Sequence, residues 1–116
     1  QEGIRLTEQL MNMEIVPDGI FCANDKAAVG AIQYAKKHGI KIPEELAIIG
    51  FNNDPVCEIV DPPLSSVHHP AREMGEMAFQ RALSIINQES EPENGNRVTL
   101  DTHLIIRASS DRNPKK

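Results

Sequence analysis

Two short apolar runs in this chain each stop at a pair of hydrogen-bonding side chains. Gly19-Ile20-Phe21-Cys22-Ala23 runs into Asn24-Asp25, and Leu46-Ala47-Ile48-Ile49-Gly50-Phe51 runs into Asn52-Asn53. In open parallel sheets ligands sit beyond the carboxyl ends of strands, so these four residues are candidate binding groups. Each has a plainer use. One of Asn24 and Asp25 is expected to cap the helix that follows, leaving the other to face the crevice. Asn53 and Asp54 serve equally well as turn formers, whereas Asn52, first beyond the run, is the better binding candidate.

Other residue types suggest other chemistry, and their spacing argues against it. His68 and His69 are metal-ligand types, but neighbours on extended backbone point to opposite faces, so no metal or other cofactor is expected. Asp61, Ser65, Ser66 and His69 contain the ingredients of a hydrolytic triad without a G-x-S-x-G elbow, and no enzyme activity is expected. Cys22 and Cys57 lack C-x-x-C spacing. Two buried thiols are favoured over a bridge, which the sequence alone leaves open.

The elements that carry these residues follow from periodicity. Leu6, Leu10 and Met13 recur at helical spacing over residues 4–13, a helix already under way at the first residue, and Pro17-Asp18-Gly19 ends it. A five-residue run without alternation, Ala47 to Phe51, predicts a central strand covered on both faces. Between the strands, Ala28, Ala31, Ile32 and Ala35 form a small-residue helical stripe, with Lys36, Lys37 and His38 opposing the dipole. Gly39 is placed for the left-handed position after that helix, Ile40 for its hydrophobic partner, and Pro43 stops continuation. Strand, helix and strand span the length of one right-handed crossover. Asp54 to Val60 permits one or two helical turns, Leu64 to Val67 is extended, and Ala71, Met74, Ala78, Ala82, Ile85 and Ile86 mark a second helix in which Met74, Met77 and Phe79 read as core. Residues 88–96 read as a solvated loop, and Val98, Leu100, Leu104 and Ile106 alternate as a strand. The fold class is therefore α/β with a doubly wound parallel sheet.

With 116 residues, 40% hydrophobic and 25% charged, the chain has an ordinary globular composition. A formal charge of −5 and no basic cluster before Lys115-Lys116 argue against nucleic-acid binding by this segment itself. No apolar run approaches the ~20 residues of a membrane span.

The blocks Ile20-Phe21-Cys22-Ala23-Asn24-Asp25, Ile42-Pro43-Glu44-Glu45-Leu46, Ile49-Gly50-Phe51-Asn52-Asn53 and Pro63-Leu64-Ser65-Ser66-Val67 closely resemble, in order and spacing, the LacI/GalR family of bacterial transcription regulators. Arg72-Glu73-Met74-Gly75 and Leu104-Ile105-Ile106-Arg107 extend the resemblance over essentially the whole chain. It implies part of a periplasmic-binding-protein-like fold, two α/β subdomains linked by crossing strands with effector between them. Residues 1–67 and 102–111 would form the C-terminal subdomain, 68–101 would return to the N-terminal one, and 112–116 would be a tail. The strand at 98–106 would then break near Asp101-Thr102.

The same resemblance implies effector contacts at Asn24, Asp25, Asn52 and His69, with Phe51 and Asn53 as additional contacts. Many relatives carry an acid at the Asn52 position and glutamine at the His69 position. An amide at Asn52 both donates and accepts, which suits a sugar-like polyol without a buried charge. Also implied are a cytoplasmic homodimer with Val56, Ile59 and Val60 at the interface, and operator DNA bound through a helix-turn-helix headpiece that lies outside this chain. The helix at 71–87 should pack on strands preceding residue 1, so this segment alone is not expected to be a stable monomer. A sugar-binding protein of a transport system shares the fold; a headpiece or a secretion signal upstream separates the two readings.

Overall fold

In the computed structural model, which describes residues 1–87 and 97–113, three parallel strands and one antiparallel strand form a single sheet. β1 (Gly19–Phe21) pairs with β2 (Ala47–Phe51), β2 with β3 (Ser65–His68), and β3 with the antiparallel β4 (His103–Ile105), giving the order β1-β2-β3-β4. The helices are α1 (Glu2–Met11), α2 (Asp25–Lys37), α3 (Val56–Ile59) and α4 (Ala71–Ile86). The chain divides into two compact units, Gln1–His68 with the segment from His103 onward, and His69–Thr102.

The first unit holds the core. Ile48 of β2 meets Ala28, Ala31, Ile32 and Ala35 of α2, with Leu46, Cys57 and Leu64 closing the cluster. α2 starts where Asn24, in extended conformation, accepts a hydrogen bond from Ala27 N–H through Oδ1 at 2.8 Å. It stops as expected. Gly39 takes φ 68°, Ile40 N–H reaches back to Ala35 O at 2.9 Å, and the Ile40 side chain packs on the core.

β2 is buried less evenly than its unbroken apolar run suggests. Ile48 and Gly50 are buried and face α2, whereas Ala47, Ile49 and Phe51 are only half-buried. α1 packs closely on α2: a Cβ on Gly30 would stand 3.0 Å from Gly3 Cα, and one on Gly3 only 2.4 Å from Ala27 O. Only residues without a side chain allow that approach. The stripe Leu6, Leu10, Met13 is accordingly not the buried face of α1. Thr7 is its buried residue, and Leu6 and Met13 are exposed.

The second unit contains α4, whose 3.6-residue stripe is present but uncovered. No residue of α4 is buried, and Met74, Met77 and Phe79, expected as core, lie exposed. One helix cannot bury its own apolar stripe; it needs a second layer, and none is supplied among the described residues of this unit. The strand expected over 98–106 shrinks to β4, since residues 97–102 have no regular structure. The loop expected at 88–96 lies outside the described residues. Cys22 and Cys57 are both free thiols.

Candidate functional site

The carboxyl ends of β1, β2 and β3 converge on Asp25. This residue has no solvent exposure. Its Oδ1 accepts from Ser66 Oγ at 2.7 Å and its Oδ2 accepts from the Asp54 amide at 2.7 Å, so two donors from different segments are turned toward the carboxylate. Of the Asn24-Asp25 pair, Asn24 is thus the cap and remains exposed, while Asp25 does not open onto a crevice. Its work is to hold the β1–α2, β2–α3 and β3 segments together.

Burial pushes both thiols up to about 11, with the Asp25 hydrogen bond adding to the effect on Cys57 and the Asp25 charge adding to that on Cys22. Both are therefore protonated near neutral pH. A thiolate is the nucleophile and metal ligand, so these cysteines serve as small core residues.

Beyond β2 the backbone turns through two consecutive left-handed positions, Asn52 at φ 119° and Asn53 at φ 57°. Asparagine tolerates positive φ better than most residues, but φ 119° is a sparsely populated conformation for any side chain larger than glycine. The turn is pinned along its length. Asn52 N–H donates to Val67 O at 3.0 Å, Asn53 N–H donates to Ser66 Oγ at 2.9 Å, and Asp54 N–H goes to Asp25. The Asn53 side chain accepts from Arg107 Nη2 at 2.8 Å through Oδ1 and stands 3.4 Å from His68 Nδ1 through Nδ2. Arg107, largely buried, also donates to Leu64 O at 2.7 Å and lies 3.8 Å from Glu58.

Asn24, Phe51, Asn52 and Asn53 therefore share one end of the first unit, with Phe51 and Asn52 half-buried. His69 opens the second unit. Ser66 and Arg107 complete the network around the turn, and sequence reading missed both because their partners lie 41 and 54 residues away. The β3–β4 register places His103 opposite His68, with ring centroids 5.0 Å apart. No cluster of three or more candidate metal ligands occurs among the described residues. A hollow of about 490 Å3 among Ile42, Pro43, Ile106 and Arg112 flanks the start of β2 rather than this end. Of the expected dimer contacts, Ile59 is exposed and Val56 half-buried, but Val60 packs on the core of its own unit.

Residues 1–110 match the periplasmic binding protein-like domain family. The LacI family regulator from Lactobacillus casei, solved with bound sucrose, superposes with a TM-score of 0.77 at 28% identity, over 94% of this chain and 40% of that one. The chain belongs to the LacI family. This LacI-family domain is also 38% identical over 110 residues to the NTD biosynthesis operon regulator NtdR of Bacillus subtilis strain 168, covering 95% of this chain and 33% of that protein. A complex of the transcriptional regulator CelR with cellobiose matches at 31% identity and a TM-score of 0.81, over 93% of this chain and 32% of that one. The LacI-family domain thus spans about a third of the length of curated regulators such as NtdR. No helix among the described residues is long and apolar enough to cross a membrane.

Proposed function

We propose that this chain is the greater part of the C-terminal effector-binding subdomain of a ligand-responsive transcription regulator, with residues 69–102 belonging to the N-terminal subdomain. Its effector is a sugar or related polyol, sensed in the cytoplasm, and operator DNA is contacted by residues outside this chain. The observation that carries this reading is the strained Asn52-Asn53 turn at the carboxyl end of β2, held by hydrogen bonds to Val67, Ser66, Asp25, Arg107 and His68. A backbone kept in a costly conformation by long-range bonds is a hallmark of ligand-contacting turns. Cellobiose and sucrose in related regulators support the ligand class. Within the first unit Asn24 and Asn52 are the effector contacts, with Phe51 as the stacking ring, while Asp25 and Asn53 hold the turn.

A ligand shifts an equilibrium only by binding one arrangement better than another. The test is therefore differential. DNA selected from a random pool with the intact protein should be bound sequence-selectively, and one member of a saccharide panel that includes sucrose and cellobiose should change that affinity at least tenfold. Saccharide binding without any selective DNA binding would contradict the regulator reading in favour of a transport protein. Selective DNA binding indifferent to the whole panel would contradict the ligand class.

We further propose a homodimer in which Ile59 is a contact, since this large apolar side chain stands 80% exposed after a short turn. Ile59→Asp should raise the dimer dissociation constant about tenfold or more in sedimentation equilibrium of the intact protein without lowering its melting temperature. An unchanged constant would remove Ile59 from the interface. Val60→Asp is the poorer test, because Val60 packs on its own core.

A further inference from the structure

The Asn53 amide has a determined orientation. Arg107 carries only donors, so the atom it meets at 2.8 Å is the carbonyl Oδ1, and Nδ2 is the atom turned toward His68 Nδ1 at 3.4 Å. An amide nitrogen only donates. His68 Nδ1 therefore accepts, and the neutral imidazole carries its proton on Nε2. One side chain thus joins three segments: Arg107, just past β4; the turn after β2; and the last residue of β3.

We propose that Arg107 is a positioning residue for the effector contact made by Asn52, acting through the Asn53 amide to fix the turn and bind it to His68. The proposal rests on the effector-site reading above and adds to it a residue that does not touch the ligand. The turn needs such a holder, because φ 119° at Asn52 and φ 57° at Asn53 relax unless the surroundings over-determine them. Arg107 is suited to the task. Its side chain is 14% exposed, and the planar guanidinium spans Leu64 O, ahead of β3, and Asn53 Oδ1 beyond β2, with Glu58 3.8 Å away. β3 and β4 are also the strands by which the chain leaves the first unit and returns to it, so a turn tied to His68 is tied to that crossing.

Three variants of the intact protein test this: Arg107→Met, Arg107→Lys and Asn53→Gly, the last chosen because glycine accepts φ 57° without strain. Amide hydrogen exchange at Asn52 and Asn53 should quicken about tenfold in Arg107→Met, with Ile32 and Ala35 in α2 unchanged, and stay close to wild type in Arg107→Lys. Nitrogen NMR of the imidazoles should show His68 with its proton on Nε2 in wild type and a mixture of tautomers in both Arg107→Met and Asn53→Gly. Affinity for whichever saccharide of the panel binds wild type should fall about tenfold in each of those two variants and no further when they are combined. Unchanged exchange and tautomer in Arg107→Met, or losses that add in the double variant, would overturn the proposal. If no saccharide of the panel binds wild type, it is the effector reading that fails, and exchange and tautomer still decide whether Arg107 holds the turn.

Discussion

Asp25→Ala is expected to lower the unfolding free energy of the intact protein's effector domain by about 3 to 5 kcal/mol, because two buried donors lose their acceptor at once and each unsatisfied group costs about 1 to 3 kcal/mol. Ser66 Oγ and the Asp54 amide are those donors. A Cβ on Gly50 would lie 2.2 Å from Asp25 Oδ1 and 3.3 Å from Ala28 Cβ, so in the wild type β2 and α2 close directly on the carboxylate. Ser66→Ala removes one donor rather than the shared acceptor and should cost less than half as much. Urea unfolding of wild type and the two variants provides the measurement. An Asp25→Ala protein as stable as wild type but deaf to its effector would mean that the carboxylate contacts ligand and does not hold the segments together.

That result bears on how far the architecture can be read from residues alone. The Gly39 stop of α2 and the strand at Ala47–Phe51 were legible because each depends on neighbours in the chain: a glycine free to take φ 68°, an isoleucine one residue on, an apolar run bounded by turns. A cap at Asn24 or Asp25 was legible for the same reason, but not that Asn24 is the one that caps. The role of Asp25 was not, since its partners come from residues 54 and 66 and become neighbours only when three strands align. Arg107 was visible as part of a family block, but nothing local reveals that it reaches Asn53. Periodicity named the apolar face of α4 correctly and its burial wrongly, because a stripe states what a helix needs and not whether a partner is at hand. In α1 the error ran the other way. The glycines at 3 and 30, invisible to a hydrophobic pattern, decide which face packs.

The proposed function likewise separates residues that bind from residues that hold. Asp25, Ser66, Asn53 and Arg107 are committed to one another in a network with no buried side-chain polar atom left unsatisfied among the described residues. Asn52 stands at the tip of what they hold, half-buried, with its backbone N–H bonded to Val67 O. Under the proposed function its amide is the group that meets a hydroxyl-bearing ligand.

The most direct measurement of that claim is effector titration of the Asn52→Gly variant of the intact protein, followed by binding to its selected DNA. Glycine is the appropriate replacement, since alanine at φ 119° would strain the turn and confuse a lost contact with a lost conformation. Removing one hydrogen bond to a ligand hydroxyl costs about 1 to 3 kcal/mol, so the effector's dissociation constant should rise roughly five- to a hundredfold. DNA affinity without effector should stay within about twofold of wild type, because the turn and its hydrogen bonds remain. An unchanged effector titration, or a collapse of DNA binding in the absence of effector, would contradict the assignment and reduce Asn52 to a turn residue.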